Sequence, residues 1–197
     1  VQALVEKKHE EAPKKEQPVT GATKIKLSGW AQTRSTNAAG TTNPLEIRRA
    51  RLAFDGNLAE KVSYRVQVDA VRSPVLIDAR LNFNLKPYAK LTVGQFKIPF
   101  GQENLNTARD LISIERSNVV NNLVPGRDNG SNGRDIGAQV EGNFHHANGK
   151  PLVDYSVGLF NGAGINRRDD NRRKDVGARI AIHPFAGLSL AGDYYNG

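Results

Sequence analysis

Eight cations in this chain are of a type and spacing that could handle an oxyanion: Arg49, Arg51, Arg65, Arg80, Lys97, Arg116, Arg127 and Arg134. A guanidinium presents several donors in a planar fork matched to carboxylate and phosphate oxygens, and it keeps its charge at physiological pH. A file of such groups lets an anion trade its hydration shell for a series of weak sites, as conduction requires. The plainer role is mechanical, with Asp55, Asp69 and Asp78 pairing with the arginines to brace a wall. Both roles can hold for different residues. Arg116 and Arg127, with Arg109, lie on an irregular stretch beside Asp110, Glu115 and Asp128. The near balance of sign there predicts salt bridges that hold the stretch in place, Glu115–Arg116 foremost.

Other chemistry finds little support. His145 and His146 sit in a short turn with no third ligand at usable spacing, so no metal site is expected. "GLFNGAGIN" brushes against a glycine-rich nucleotide loop, but no helix follows it and no βαβ unit surrounds it. Catalysis needs a nucleophile and a base within hydrogen-bond reach. The two adjacent histidines fall on a turn and His183 stands at a strand end, so no enzyme and no cofactor are indicated. Cysteine is absent, which removes thiol and disulfide chemistry.

The elements that must position the cations read as strands. In "RRARLAFDG", Ala50, Leu52, Phe54 and Gly56 share one parity while Arg49, Arg51, Ala53 and Asp55 share the other. After a polar break at Asn57–Lys61, Val62, Tyr64, Val66 and Val68 alternate with Ser63, Arg65, Gln67 and Asp69. Successive side chains of a strand point to opposite faces, so each strand carries one greasy and one charged face. The beat starts near Lys24 and continues through "VLIDARLNFNL", "LTVGQFKIPFG", "DIGAQVEGNF", "LVDYSVGLFNG", "DVGARIAIHPF" and "LSLAGDYYNG", nine strands in all. Leu91 and Val93 break the parity at the start of the fifth. Residues 102–120 are the one place where a helix could form.

Connections alternate in length. Asn57–Lys61, Lys86–Lys90, His145–Lys150 and His183–Gly187 are short, whereas "STNAAGTTNP", Phe100–Gly133 and "NGAGINRRDDNRRK" are long, with "VRSP" the exception. Short turns on one rim and long loops on the other predict an all-β, antiparallel, up-and-down transmembrane barrel with its greasy face toward lipid. The rival is a soluble β-sheet module that turns the greasy face inward and binds polyanions through a basic face. Single-chain bacterial barrels have an even strand count, so nine strands predict the N-terminal part of a larger barrel.

Composition is compatible with this. Hydrophobic residues make up 38% of 197 and mean hydropathy is −0.52. No apolar run approaches the roughly 20 residues of a membrane helix, but barrel strands need only about 10, half of them polar. Methionine is absent, including at position 1, as expected of a mature or excised piece. Net charge is +8. Residues 1–22 hold four lysines against four glutamates and read as a flexible charged segment, so the surplus sits in residues 23–197, the barrel part. Diffuse positive charge favours an anionic partner.

"RRARLAFDGNL", "SYRVQVD", "LTVGQFKIPFG", "RDLISIERS", "GRDIGAQVEG" and "YSVGLFNGAG" together resemble the phosphate-selective porin O/P family of Gram-negative outer membranes, over residues 23–197. The resemblance implies a homotrimer of barrels of about sixteen strands, an arginine-lined lumen and a third external loop, here Phe100–Gly133, that narrows the pore. It implies passage of small anions such as phosphate or polyphosphate, contact with outer-membrane lipid, and no nucleic-acid partner. Residues 126–128 and 133–135 repeat Gly-Arg-Asp around a Gly-Asn linker, an apparent insertion that would reshape the loop. "INRRDDNRRK", residues 165–174, could touch lipopolysaccharide phosphates, though a solvated charged loop is the preferred reading.

Overall fold

Alternating polarity does produce strands throughout. The computed structural model describes residues 25–36, 45–71, 76–146 and 149–197. Expectations for residues 1–22, most of "STNAAGTTNP" and most of "VRSP" lie outside them. Nine strands form one antiparallel sheet in sequence order: β1 Ile25–Ser35, β2 Leu45–Ala59, β3 Val62–Asp69, β4 Leu76–Lys86, β5 Ala89–Lys97, β6 Arg134–His145, β7 Pro151–Phe160, β8 Asp175–Phe185 and β9 Leu188–Asn196. Each strand pairs only with its neighbours in the chain, which is the up-and-down order. Turns at one rim shrink to two residues at Glu60–Lys61, Pro87–Tyr88 and Ala186–Gly187. The opposite rim carries the long connections 98–133 and 161–174. The expected helix in the first of these is two short ones, α1 Gln102–Leu105 and α2 Asn118–Leu123.

The polar break expected at Asn57 is not a break: β2 continues to Ala59, which pairs with Val62 across an irregularity after Asn57. Ladder hydrogen bonds need backbone, not apolar side chains, so the strand outlasts its hydrophobic beat.

The two faces are the reverse of a soluble sheet. Leu52, Leu159 and Ile180 are 45%, 54% and 54% exposed, while Arg49 and Arg51 keep 4% and 7%. Oily side chains point outward and cations are covered, the arrangement of a membrane barrel wall. No helix among the described residues is long and apolar enough to cross a membrane. At the short-turn rim the rings of Tyr88, Phe144 and Tyr155 stack at about 6 Å, as aromatic residues do at a membrane interface.

What apolar core exists lies on the polar side. Phe96, Ile98 and Phe160 cluster there with Phe100 and Tyr195. Phe96 meets Phe160 edge-on at 5.6 Å, a favoured geometry for aromatic pairs. The Phe160 ring lies over a floor of glycines on three strands. A Cβ on Gly137, Gly158 or Gly177 would come within 2.8, 2.9 and 3.2 Å of it. This cluster pins the start of the β5–β6 connection to the sheet.

β5 keeps its register with both neighbours through Gly94. Leu91 and Val93 pair with Val140 and Ala138 on the apolar face, yet Lys97 reaches the polar side. Between them Gly94 adopts φ +124°, and a Cβ there would sit 2.2 Å from the Ala79 carbonyl oxygen. Glycine alone tolerates that conformation and that approach.

Candidate functional site

Register places cations and carboxylates of neighbouring strands side by side. Arg51 faces Asp69 across β2–β3, and Asp55 faces Arg65. The Arg51 Nε donates to Asp69 at 3.1 Å and the Arg65 Nη1 to Asp55 at 2.9 Å. Arg134 spans from β6 to β4, its Nε donating to Asp78 at 2.8 Å. Asp69 is fully buried, and removing one partner of such a pair typically costs about 3–5 kcal/mol. Wall bracing is therefore real for Arg51, Arg65 and Arg134. Trp30 shares their face and stacks with the Arg51 guanidinium at 5.4 Å.

Arg80 is different. It lies directly opposite Arg65 on β3–β4, a like-charge pair, and it makes no ion pair among the described residues. Its Nε is buried without a hydrogen-bond partner. A buried donor left unmade carries a desolvation penalty of about 1–3 kcal/mol.

The β5–β6 connection folds over this wall. Lys97 donates from Nζ to the carbonyls of Leu105 and Asn106 at 2.9 and 2.7 Å, capping the end of α1. Arg116 donates to the carbonyls of Glu103 and Asn106 at 3.1 and 2.8 Å. Burial first, then the charges of Arg127, Arg134, Arg49 and Arg51, bring the Arg116 guanidinium down to about 10. Arg127 holds the loop from within, its Nη2 donating to the buried Asn104 at 2.9 Å and its Nη1 to Asn121 at 3.1 Å. Ser117 caps α2 and donates from backbone and hydroxyl to Glu103 at 2.7 and 2.8 Å. Across the sheet Arg179 pairs with Asp193 at 2.5 Å and donates to Gln102 at 2.8 Å.

The expected Glu115–Arg116 bridge does not form. Glu115 turns to the wall and is gripped by three guanidiniums. Arg34 Nη1 donates to Oε1 at 2.9 Å, Arg48 Nη2 to Oε2 at 3.0 Å, and Arg49 Nη2 to Oε2 at 3.2 Å, with Arg48 Nε adding a fourth bond. Arg49 also donates to the Ile114 carbonyl at 2.8 Å. Burial pushes the Glu115 carboxyl up, but the Arg48 hydrogen bond and the charges of Arg48, Arg49 and Arg34 hold it below the usual carboxylate range. Consecutive arginines converge because of a bulge: Gln32 pairs with Arg49 and Thr33 with Ile47, leaving Arg48 as the extra residue. A bulge re-aims a side chain in this way.

Arg51, Arg65, Arg80, Lys97 and Arg134, joined by Arg109 from the loop, line a cleft of about 510 Å³ between wall and connection. Arg49, Arg116 and Arg127 stand outside it. Arg34 and Arg48 were not among the eight candidates. The signal for them was present: apolar parity flips between Ile47 and Ala50, which is what one extra residue in a strand does. No three His, Cys, Asp or Glu side chains converge as a metal site among the described residues. The arrangement can hold a small multidentate oxyanion against guanidinium N–H donors. A family model described as phosphate-selective porin O and P matches residues 29–194. No match exists among curated proteins.

Proposed function

The chain belongs to the phosphate-selective porin O and P family, and on that premise we propose that it forms the arginine-bearing wall and constriction loop of a Gram-negative outer-membrane channel for small oxyanions, phosphate foremost. The supporting observation is Arg80. Most wall cations near it are neutralised by a carboxylate, whereas Arg80 enters the cleft with a buried, unpaired donor. An anion moving along the cleft exchanges water for that guanidinium and for the Nζ–H of Lys97, which the Leu105 and Asn106 carbonyls hold in place. Weak, successive sites of this kind allow entry without trapping. We take the assembly to be a homotrimer, with loop 161–174 a solvated charged loop on the long-loop rim.

The test is the reversal potential of the intact, membrane-inserted protein under a phosphate gradient. The wild type favours anions, and Arg80→Ala moves the potential toward zero. Cation preference, or an Arg80→Ala channel indistinguishable from wild type, overturns the reading.

A further inference from the structure

Of the charged clusters on the polar face, the one around Glu115 stands apart. Arg51, Arg65 and Arg134 each meet a strand carboxylate. Here three guanidiniums from β1 and β2 converge on a carboxylate carried by the β5–β6 connection. Arg34, Arg48 and Arg49 present four donors to its two oxygens. Arg34 also pairs with Glu46, so the site holds three positive charges against two negative ones. The Glu115 carboxylate is chemically a stand-in for a free oxyanion: planar, anionic and bound by forked donors. The bulge sets Arg48 beside Arg49, so that consecutive residues of one strand reach the same carboxylate.

We propose that Arg34, Arg48 and Arg49 form an anion site occupied at rest by Glu115, and that a multiply charged oxyanion displaces this carboxylate and releases the tip of the loop. The competition is thermodynamic. An anion that binds only the vacated arginines shifts the loop by its differential affinity for the two states. A single carboxylate offers one negative charge, whereas a phosphate dianion or pyrophosphate offers more charge and more acceptor oxygens to the same donors. The Ile114 carbonyl, held by Arg49, would loosen together with Glu115. The inference rests on the anion-channel reading for the identity of the displacing ion.

The chain has no cysteine, so a single label can be placed without background. Ile112 is fully exposed beside the latch and Ile112→Cys accepts a spin label. In the intact protein in liposomes, inorganic pyrophosphate should raise label mobility at concentrations where chloride of equal ionic strength does not. In Glu115→Gln the label should be mobile without any ligand. Calorimetric affinity for pyrophosphate should rise about tenfold, the factor for a site self-occupied nine-tenths of the time. Glu115→Asp, which keeps the charge, should retain an immobile label, and a heat-modifiable gel band confirms that each variant is folded. A label that ignores pyrophosphate, or a Glu115→Gln protein with wild-type mobility and affinity, overturns the latch. Neither readout needs current. An anion-selective channel with an unresponsive label rejects the latch alone, and a cation-selective channel with a responsive label rejects the pore reading alone.

Discussion

Glu115 sets how the loop responds to acid. Its carboxyl is held low by Arg48, Arg49 and Arg34 against the opposing effect of burial, with Glu46 the nearby acid that shares Arg34. A carboxyl depressed in the folded state contributes stability that is complete above its free value, about 4.3. That contribution is lost as pH falls through the lower folded value. Channel current should therefore be quiet from neutral pH to about 5 and become noisy below about 4, while Glu115→Gln should be noisy at neutral pH. Single-channel recordings across this range check the sign; quiet traces at low pH would contradict it. The misassigned Glu115–Arg116 pair has a simple cause. Glu115 lies on a bend and is taken up by guanidiniums of β1 and β2, more than sixty residues away in the chain, which local charge balance does not reveal.

At the scale of elements, Gly94 carries the fifth strand through a conformation closed to side chains. Gly94→Ala forces a Cβ toward the Ala79 carbonyl at φ +124°, and such strain costs on the order of 1–3 kcal/mol. The urea midpoint of the reconstituted protein should drop accordingly; an unchanged midpoint would mean the strand relaxes. Strands were legible because one face is oily and the other charged, a pattern that survives in the residues themselves. Their exact ends were not, since β2 runs past Asn57 on backbone pairing alone. The cations on β2 to β4 were found by the same beat, and the bracing carboxylates Asp55, Asp69 and Asp78 with them. Arg34 and Arg48 were missed because a bulge suspends the alternation that located the others. The loop contacts of Arg116 and Arg127 go to carbonyls and asparagines, groups without a periodic signature.

For the molecule as a whole, the outward oily face is a commitment to lipid. Val157, one outward position beyond Tyr155 on β7, pairs with Val140 and Ala178, is 53% exposed and belongs to that face. Val157→Lys should lower stability in bilayers by about 2 kcal/mol. Asn84→Lys, on the polar face, should stay within about 0.5 kcal/mol. Urea unfolding in liposomes distinguishes the two, and equal effects would deny the lipid-facing assignment.

The three glycines under Phe160 decide where the loop root rests. Their bareness lets the ring settle against the sheet with Ile98 and Pro99 beside it. A methyl at Gly158 or Gly177 would lift that ring, and one at Gly137 would also strike the Leu159 carbonyl oxygen at 2.2 Å. The seat of the connection is thus cut to shape by atoms that are missing.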